Sequence, residues 1–215
     1  MSAGLGFLNI QYKTEWDNDF SWLSRRGFSF GVFINLPISE NIRLQPEFNY
    51  VQKGARLQDI GEEHYGTNIY EKWHWTSRIR INYIEVPILG VLTFSGRNWG
   101  AQPFLFLGPS IAFRQSAEDR WEEEFEYRED DYFERDTDSG KEDLKEVIKG
   151  NDFSFHIGGG ISFGRDSRAV KLTVRYILGA SNIFVNEEDD FYDEFDIKRP
   201  TAKNRGFLIT AGFGF

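Results

Sequence analysis

Ser154 and His156 come nearest to a catalytic arrangement in this sequence. Residues two apart in a β-strand lie on one face, so a hydroxyl and an imidazole would be neighbours there. A serine that is activated by a histidine can attack an ester, but it also needs an orienting acid and an oxyanion hole. The sequence carries no signature for either, so we predict no catalytic residues.

Metal and cofactor chemistry have equally little support. His64 and His74 fall in one connecting segment without further ligands at the spacing of a zinc site. The glycines at 158–160 and 164 faintly resemble a nucleotide-binding loop, but no helix or βαβ unit follows them. We therefore expect no metal and no cofactor, and the net charge of −9 argues against nucleic acid as a partner.

A set of charged residues could form a buried network. Alternation along the strands inferred below places six of them on the polar face: Arg43, Glu47, Lys53, Glu85, Lys171 and Arg175. Buried charges should be paired, because an isolated one is costly. We expect the two glutamates to pair with the arginines and with Lys171. A path for protons or ions is the alternative.

Residues 119–138 mix acids with five aromatic side chains: Trp121, Phe125, Tyr127, Tyr132 and Phe133. Segment 186–196 has a similar composition. Carboxylate clusters can bind Ca²⁺, but the spaced acids and central glycine of an EF-hand are absent. The simplest interpretation is a solvated loop with loosely held counterions. The alternative is a docking surface, because acids steer a partner and aromatic residues anchor it.

The elements that would position these residues show a period of two, which predicts strands rather than helices. The clearest is 26–37, with one apolar face formed by Phe28, Phe30, Val32, Ile34 and Leu36. Seven further strands are predicted at 4–12, 41–53, 79–94, 101–114, 152–164, 169–179 and 205–215. The segment 101–114 is apolar on both faces, so its orientation stays open.

The connections between these strands alternate strictly in length. Three are short, at 38–40, 95–100 and 164–168, and four are long, at about 13–25, 54–78, 115–151 and 181–204. This alternation is typical of an eight-stranded antiparallel transmembrane β-barrel with short periplasmic turns and long extracellular loops. We therefore predict one outer-membrane barrel domain over residues 1–215, with acidic outer loops and both termini periplasmic.

A soluble barrel of the lipocalin type is the alternative, because alternation alone does not say which face points inward. Five tryptophans near strand ends favour the membrane, where they would form interface girdles: Trp16, Trp22, Trp73, Trp75 and Trp99. A mean hydropathy of −0.49 is compatible with this, since half of each membrane strand faces the lumen. We expect the chain to be a mature form from which a signal peptide has been removed.

Several segments resemble the PorT-like outer-membrane β-barrel family common in Bacteroidetes. Residues 44–54, LQPEFNYVQKG, resemble its "LQPEL-Y-QKG" segment. Further segments match in order: NYIEVPIL at 82–89, PFLFLGP at 103–109, 152–160, RYILG at 175–179, and 203–205 with the final strand to Phe215. The resemblance implies an outer-membrane location and assembly by the barrel-insertion machinery. It implies no single function, although a few members serve in secretion-related assemblies.

The leading functional hypothesis is a non-enzymatic scaffold or accessory subunit of a larger outer-membrane protein complex, with the outer loops as its interaction surface. A small porin-like transporter or pore is the alternative, which the narrow interior of eight strands disfavours. An outer-membrane lipid hydrolase using Ser154 and His156 is a third hypothesis. Apart from that complex, the expected partners are outer-membrane lipid and, during assembly, the insertion machinery.

Overall fold

The computed structural model describes residues 1–13, 21–65, 69–94, 100–130, 132–164, 169–185 and 201–213. Their regular elements are ten strands: β1 Ser2–Lys13, β2 Ser21–Phe33, β3 Leu36–Pro37, β4 Ile42–Tyr65, β5 Ile69–Thr93, β6 Ala101–Glu129, β7 Tyr132–Asp143, β8 Asn151–Phe163, β9 Val170–Gly179 and β10 Thr201–Phe213. The described residues contain no helix long and apolar enough to cross a membrane.

Eight of these strands pair antiparallel in a ring. The order is β2–β1–β10–β9–β8–β6–β5–β4, and β4 pairs back with β2. The short strand β3 continues the line of β2 along β4. The Met1 amino group donates a hydrogen bond to the Phe213 carbonyl at 2.8 Å, so the first and last strands meet at one end of the ring. The ring leaves no open sheet edge in the wall, and the predicted eight-stranded antiparallel barrel is confirmed.

The wall is apolar outside and polar inside. Phe30 and Ile157 expose more than half of their surface outward, whereas Lys53 and Glu85 are completely buried inside. An outer surface of this kind suits hydrocarbon rather than water, so the soluble, lipocalin-like alternative is wrong. The sequence left the orientation of β6 open. In the structure Leu105 and Leu107 lie outside, whereas every second residue from Phe104 to Ser110 faces the lumen.

The connections that were expected at 54–78 and 115–151 are largely β-structure instead of loops. Strands β4, β5 and β6 continue past the ring, and β7 returns along β6. These four strands form a sheet extension with the order β4–β5–β6–β7, which projects from the end of the barrel away from the chain termini. Residues 116–129 of β6 alone span roughly 45 Å at 3.3 Å per residue.

Two further segments fold across the barrel at the base of the sheet extension. The Lys149 amide donates to the Ile183 carbonyl at 2.7 Å, and Ile148 forms a β-bridge with Phe184. Ile148 and Ile183 are completely buried, in a cluster that includes Tyr83 of the barrel wall. This apolar plug fills the lumen at that end.

Some predicted features lie outside the described residues. They are Trp16, Trp99, Phe215, segment 186–196 and most of the turns at 95–100 and 164–168. For Trp22 only the backbone is described.

Candidate functional site

The first candidate site is the charge network in the lumen, and its centre is a pair that crosses the barrel. Arg175 of β9 donates to Glu47 of β4 through both terminal nitrogens, each at 2.8 Å. Gln45 and Asn49 donate to the same carboxylate at 2.6 and 2.8 Å. The Glu47 carboxylate thus accepts four hydrogen bonds, which compensates for its loss of water.

A second group lies nearer to the apolar plug. Lys53 contacts Glu85 at 2.8 Å and Asp152 at 3.3 Å, and all three side chains are fully buried. Asp152 also accepts hydrogen bonds from Ser181 and Asn204, each at 2.9 Å. Sequence reasoning missed Asp152, although its alternation with Ser154 and His156 would have placed it on the inner face.

The remaining two predicted lumen residues are placed differently. Lys171 donates to Asn35 and Gln45, at 3.1 and 3.2 Å, and lies over the Phe33 ring at 4.7 Å. It forms no ion pair with a described glutamate. Arg43 is only partly buried and forms no ion pair within the described part of the chain. The partners of Lys171 are therefore amide oxygens and aromatic rings, whereas the sequence predicted that it pairs with glutamates.

Ser154 and His156 are neighbours, but the groups around them are arranged differently from a Ser-His-Asp triad. The Nε2 atom of His156 lies 3.2 Å from the Ser154 hydroxyl and 3.5 Å from Glu85, while Nδ1 faces an Arg175 nitrogen at 3.2 Å. A catalytic histidine holds its acid at one nitrogen and its serine at the other. Here an Arg175 nitrogen faces Nδ1, and the acid, Glu85, lies at the same nitrogen as the serine.

A small cavity lies among these groups in the lumen. It has a volume of about 30 Å³ and lies beside the Arg175–Glu47 pair, towards the end with the chain termini. Phe104 and Phe106 line it, and Arg175 lies over the Phe106 ring at 5.1 Å. Such a volume has room for a few water molecules at most.

The second candidate site is the sheet extension, whose two faces differ in charge. Residues that pair directly share a face, and neighbours along a strand alternate. On the face that continues the lumen side, the strand registers place ten carboxylates and no basic residue at the described positions. The carboxylates are Asp59, Glu63, Glu71, Asp119, Glu123, Glu129, Glu134, Asp136, Asp138 and Glu142. We call this the acidic-aromatic face.

Aromatic side chains form the middle of this face. Trp73 of β5 pairs directly with Phe125 of β6, and Trp121 lies further along β6. Each indole lies against a glycine on the neighbouring strand. A Cβ added at Gly61 would come within 2.1 Å of Trp73, and one at Gly140 within 2.6 Å of Trp121. These glycines let the rings lie flat across the sheet.

Like charges stand directly opposite one another on the acidic-aromatic face. Glu63 pairs with Glu71, and Glu123 pairs with Asp138. Directly opposed like charges destabilise a sheet. Hydroxyls meet some of the other carboxylates: Tyr127 donates to Glu129 at 2.7 Å, and this hydrogen bond raises the pKa of Tyr127.

On the opposite face of the extension, acids and bases are mixed and paired. Arg78 binds Glu122 through two hydrogen bonds of 2.8 and 3.0 Å, and Arg135 pairs with Glu124. The two faces of the extension therefore differ in their basic residues: all those at the described positions lie on this mixed face, and none on the acidic-aromatic face.

The predicted docking residues are divided between these faces. Trp121, Phe125, Tyr127 and Tyr132 lie on the acidic-aromatic face, whereas Phe133 lies on the other, 5.1 Å from Arg128. Trp73 and Trp75 also belong to the acidic-aromatic face. Assigning these two tryptophans to a membrane girdle was wrong, because both lie on the face that continues the lumen side and far beyond the apolar belt.

His64 and His74 lie on the mixed face but apart from one another. His64 packs against Tyr70 with ring centroids 4.8 Å apart, and His74 lies 3.4 Å from the Thr76 hydroxyl. Within the described ranges, no three His, Cys, Asp or Glu side chains come together as metal ligands.

Comparison with known families agrees with this geometry. The model of the family described as outer membrane protein beta-barrel domain matches residues 1–185. The chain therefore belongs to this family of outer-membrane β-barrels, and an outer-membrane location follows. The comparison with curated proteins finds no match.

Two solved structures resemble the chain at low identity. The outer membrane enzyme PagL is 12% identical, with 100% of this chain and 98% of that chain covered and a TM-score of 0.37. Ail, the attachment invasion locus protein of Yersinia pestis, solved with the heparin analogue sucrose octasulfate, is 12% identical, with 100% and 97% covered and a TM-score of 0.31. At these values neither supports a conclusion about function.

Proposed function

We propose that this protein is a non-enzymatic outer-membrane barrel that presents the sheet extension as a docking surface for a basic polypeptide segment of another envelope or extracellular protein. The observation that carries the proposal is the separation of charge between the two faces of the extension. A solvated sheet has no need to exclude every cation from one face while mixing charges on the other.

The acidic-aromatic face matches a basic partner in two ways. Lysine or arginine side chains inserted between Glu63 and Glu71, or between Glu123 and Asp138, would neutralise carboxylates that now repel one another. The flat ring of Trp73 offers a surface for cation–π and apolar contact, the usual anchors of protein interfaces. Binding would thus remove the electrostatic repulsion between these carboxylates, which destabilises the extension in the free protein.

The orientation is also part of the proposal. Barrels of this class carry their long connections outside the cell, so we place the sheet extension outside and both termini in the periplasm. The ordered matches at 44–54, 82–89 and 103–109 support membership of the PorT-like group of such barrels. Membership would favour an accessory role in a larger envelope assembly.

The test removes the opposed carboxylates and measures stability and binding together. Glu63→Gln with Glu123→Gln keeps the side-chain volume and removes one charge from each opposed pair. We expect the extension to resist limited proteolysis better, and a lysine-rich peptide with aromatic residues to bind at least about tenfold more weakly, because two charge-assisted contacts are lost.

The matched control is Glu124→Gln, on the mixed face of the same strand, where the carboxylate pairs with Arg135. It should leave peptide binding unchanged and should not protect the extension from protease. Equal peptide affinity for the wild type and the double variant would refute the docking surface.

The lipid-hydrolase alternative receives less support than docking. The His156 nitrogen that faces Ser154 also faces Glu85, and all three groups are buried in the lumen, away from the lipid-facing surface. Lipid deacylation by the purified protein that is abolished by both Ser154→Ala and His156→Ala would reverse this ranking.

A further inference from the structure

A basic cluster lies where the outer surface of the barrel wall continues into the mixed face of the sheet extension, on the side facing away from the acidic-aromatic face. Arg56 of β4 pairs directly with Arg78 of β5, and Arg120 of β6 pairs directly with Lys141 of β7. The basic cluster comprises these four residues together with Arg25 and Arg80. It lies on four adjacent strands of the sheet and on β2 beside them.

The cluster stands just beyond the apolar belt. The last apolar row across β4, β5 and β6 is Tyr50, Ile84 and Phe113. A polar row follows, in which Gln52 donates to Asn82 at 3.1 Å and Asn82 donates to Ser116 at 2.7 Å.

Arg80 is four residues from Ile84 along β5, which is about 13 Å along the strand and about 10 Å along the membrane normal for a tilted strand. That height is close to the polar headgroup layer, and arginine side chains are long enough to reach back into it.

The positive charge of this cluster is only partly balanced. Glu118 forms ion pairs with three of the cations: Arg80, Arg120 at 3.6 Å and Lys141 at 2.5 Å. Glu122 serves Arg78. Within the described residues the six cations thus form ion pairs with two carboxylates, while Asp143, directly opposite Glu118, pairs with Lys145.

Two of the arginines are left without an acid. Arg25 and Arg56 form no ion pair within the residues that the structure describes, and Arg25 is half-buried beside Arg78, Arg80 and Arg120, which repel it. Its Nη1 atom is enclosed, as is Nε of Arg56, and neither has a hydrogen-bond partner among those residues. Donors of this kind need an acceptor that the described chain does not supply.

We propose that the basic cluster binds the phosphate groups of a lipid headgroup in the leaflet from which the sheet extension projects. Guanidinium groups donate to phosphate oxygens in a fork geometry, and an anionic headgroup would supply the missing charge and accept from the guanidinium nitrogens that stay open to the outside. A bound lipid would fix the barrel at one depth and hold the base of the extension against the membrane surface.

The experiment titrates the detergent-solubilised full chain with lipid A that carries both phosphates, with lipid A from which the phosphates have been removed, and with inorganic phosphate. We expect the phosphorylated lipid to bind at least about tenfold more tightly than the dephosphorylated lipid. The double variant Arg25→Gln/Arg56→Gln should lose most of this preference. Because neither residue forms an ion pair with a described acid, the variant should still fold, as its heat-modifiable mobility on a gel will show.

The control variant Lys72→Gln/Arg128→Gln removes two charges from the same face further from the membrane, and should bind the phosphorylated lipid like the wild type. Equal affinity for the two lipids overturns the proposal. So does an equal loss in the two double variants, which would indicate general electrostatics. Inorganic phosphate that binds as tightly as the lipid would make this a free-anion site and would likewise overturn the lipid assignment.

Discussion

At the scale of single residues, arginines that look equivalent in the sequence differ in how deeply the lumen buries them and in whether they are paired. Arg175 is buried against Glu47 in a two-pronged pair, whereas Arg43 stands partly exposed towards the end of the barrel with the chain termini. Removing one partner of a buried pair leaves the other charge uncompensated, which costs far more than the loss of an exposed charge.

We expect Arg175→Met to lower the free energy of unfolding by about 3–5 kcal/mol, because Glu47 would remain buried with amide donors alone. Arg43→Met should cost less than about 1 kcal/mol. Urea titration of barrels refolded in micelles, followed by their gel mobility, measures both. A similar loss of unfolding free energy in the two variants would show that Glu47 does not depend on Arg175 for its charge compensation.

Alternation along the strands indicates which face of each strand points inward, but it does not say which inner charges pair, and Asp152 was not among the residues predicted from it. The Arg175–Glu47 pair joins β9 to β4 across the ring, and such partners depend on barrel diameter and strand stagger, which no local pattern encodes. Phe133 shows a second limit. It follows Tyr132 directly along β7, and because neighbours along a strand point to opposite faces, the two rings cannot belong to one docking surface.

At the scale of elements, the sheet extension is the feature that the sequence hid. Its strands keep the alternation of the barrel, but both faces carry charged and aromatic residues, so no apolar stripe marks them. What fixes the extension is the continued pairing of β5 with β6 and of β6 with β7, together with the indole rings that lie across glycines on the two outer strands.

Gly61→Val tests this packing, because its side chain would occupy the place of the Trp73 ring. We expect overpacking of about 1–3 kcal/mol confined to the extension. Limited proteolysis should then cut residues 58–76 faster, and the tryptophan emission should shift to the red, while the barrel keeps its folded gel mobility. Gly150→Ala is the control, since nothing lies within 4 Å of the added carbon. Unchanged proteolysis of Gly61→Val would mean that the flat indole contributes nothing to the extension.

At the scale of the whole molecule, three layers fill the barrel from end to end. Phe33, Phe104 and Lys171 occupy the end with the termini, the ion-pair groups occupy the middle, and the apolar plug around Ile148 and Ile183 occupies the end below the extension. With its interior packed in this way, the barrel carries its large polar surface on the sheet extension, beyond the apolar belt.

A filled lumen predicts that the purified protein does not conduct. We expect planar bilayers containing the wild type to show no stable ohmic steps, while a water-filled porin reconstituted in parallel conducts. The reason is that the Arg175–Glu47 pair crosses the lumen beside a cavity of only about 30 Å³. Stable steps whose number rises with the amount of protein would favour the pore hypothesis. They would also require the plug segments at 144–149 and 182–185 to leave the barrel together, since Lys149 donates a hydrogen bond to Ile183.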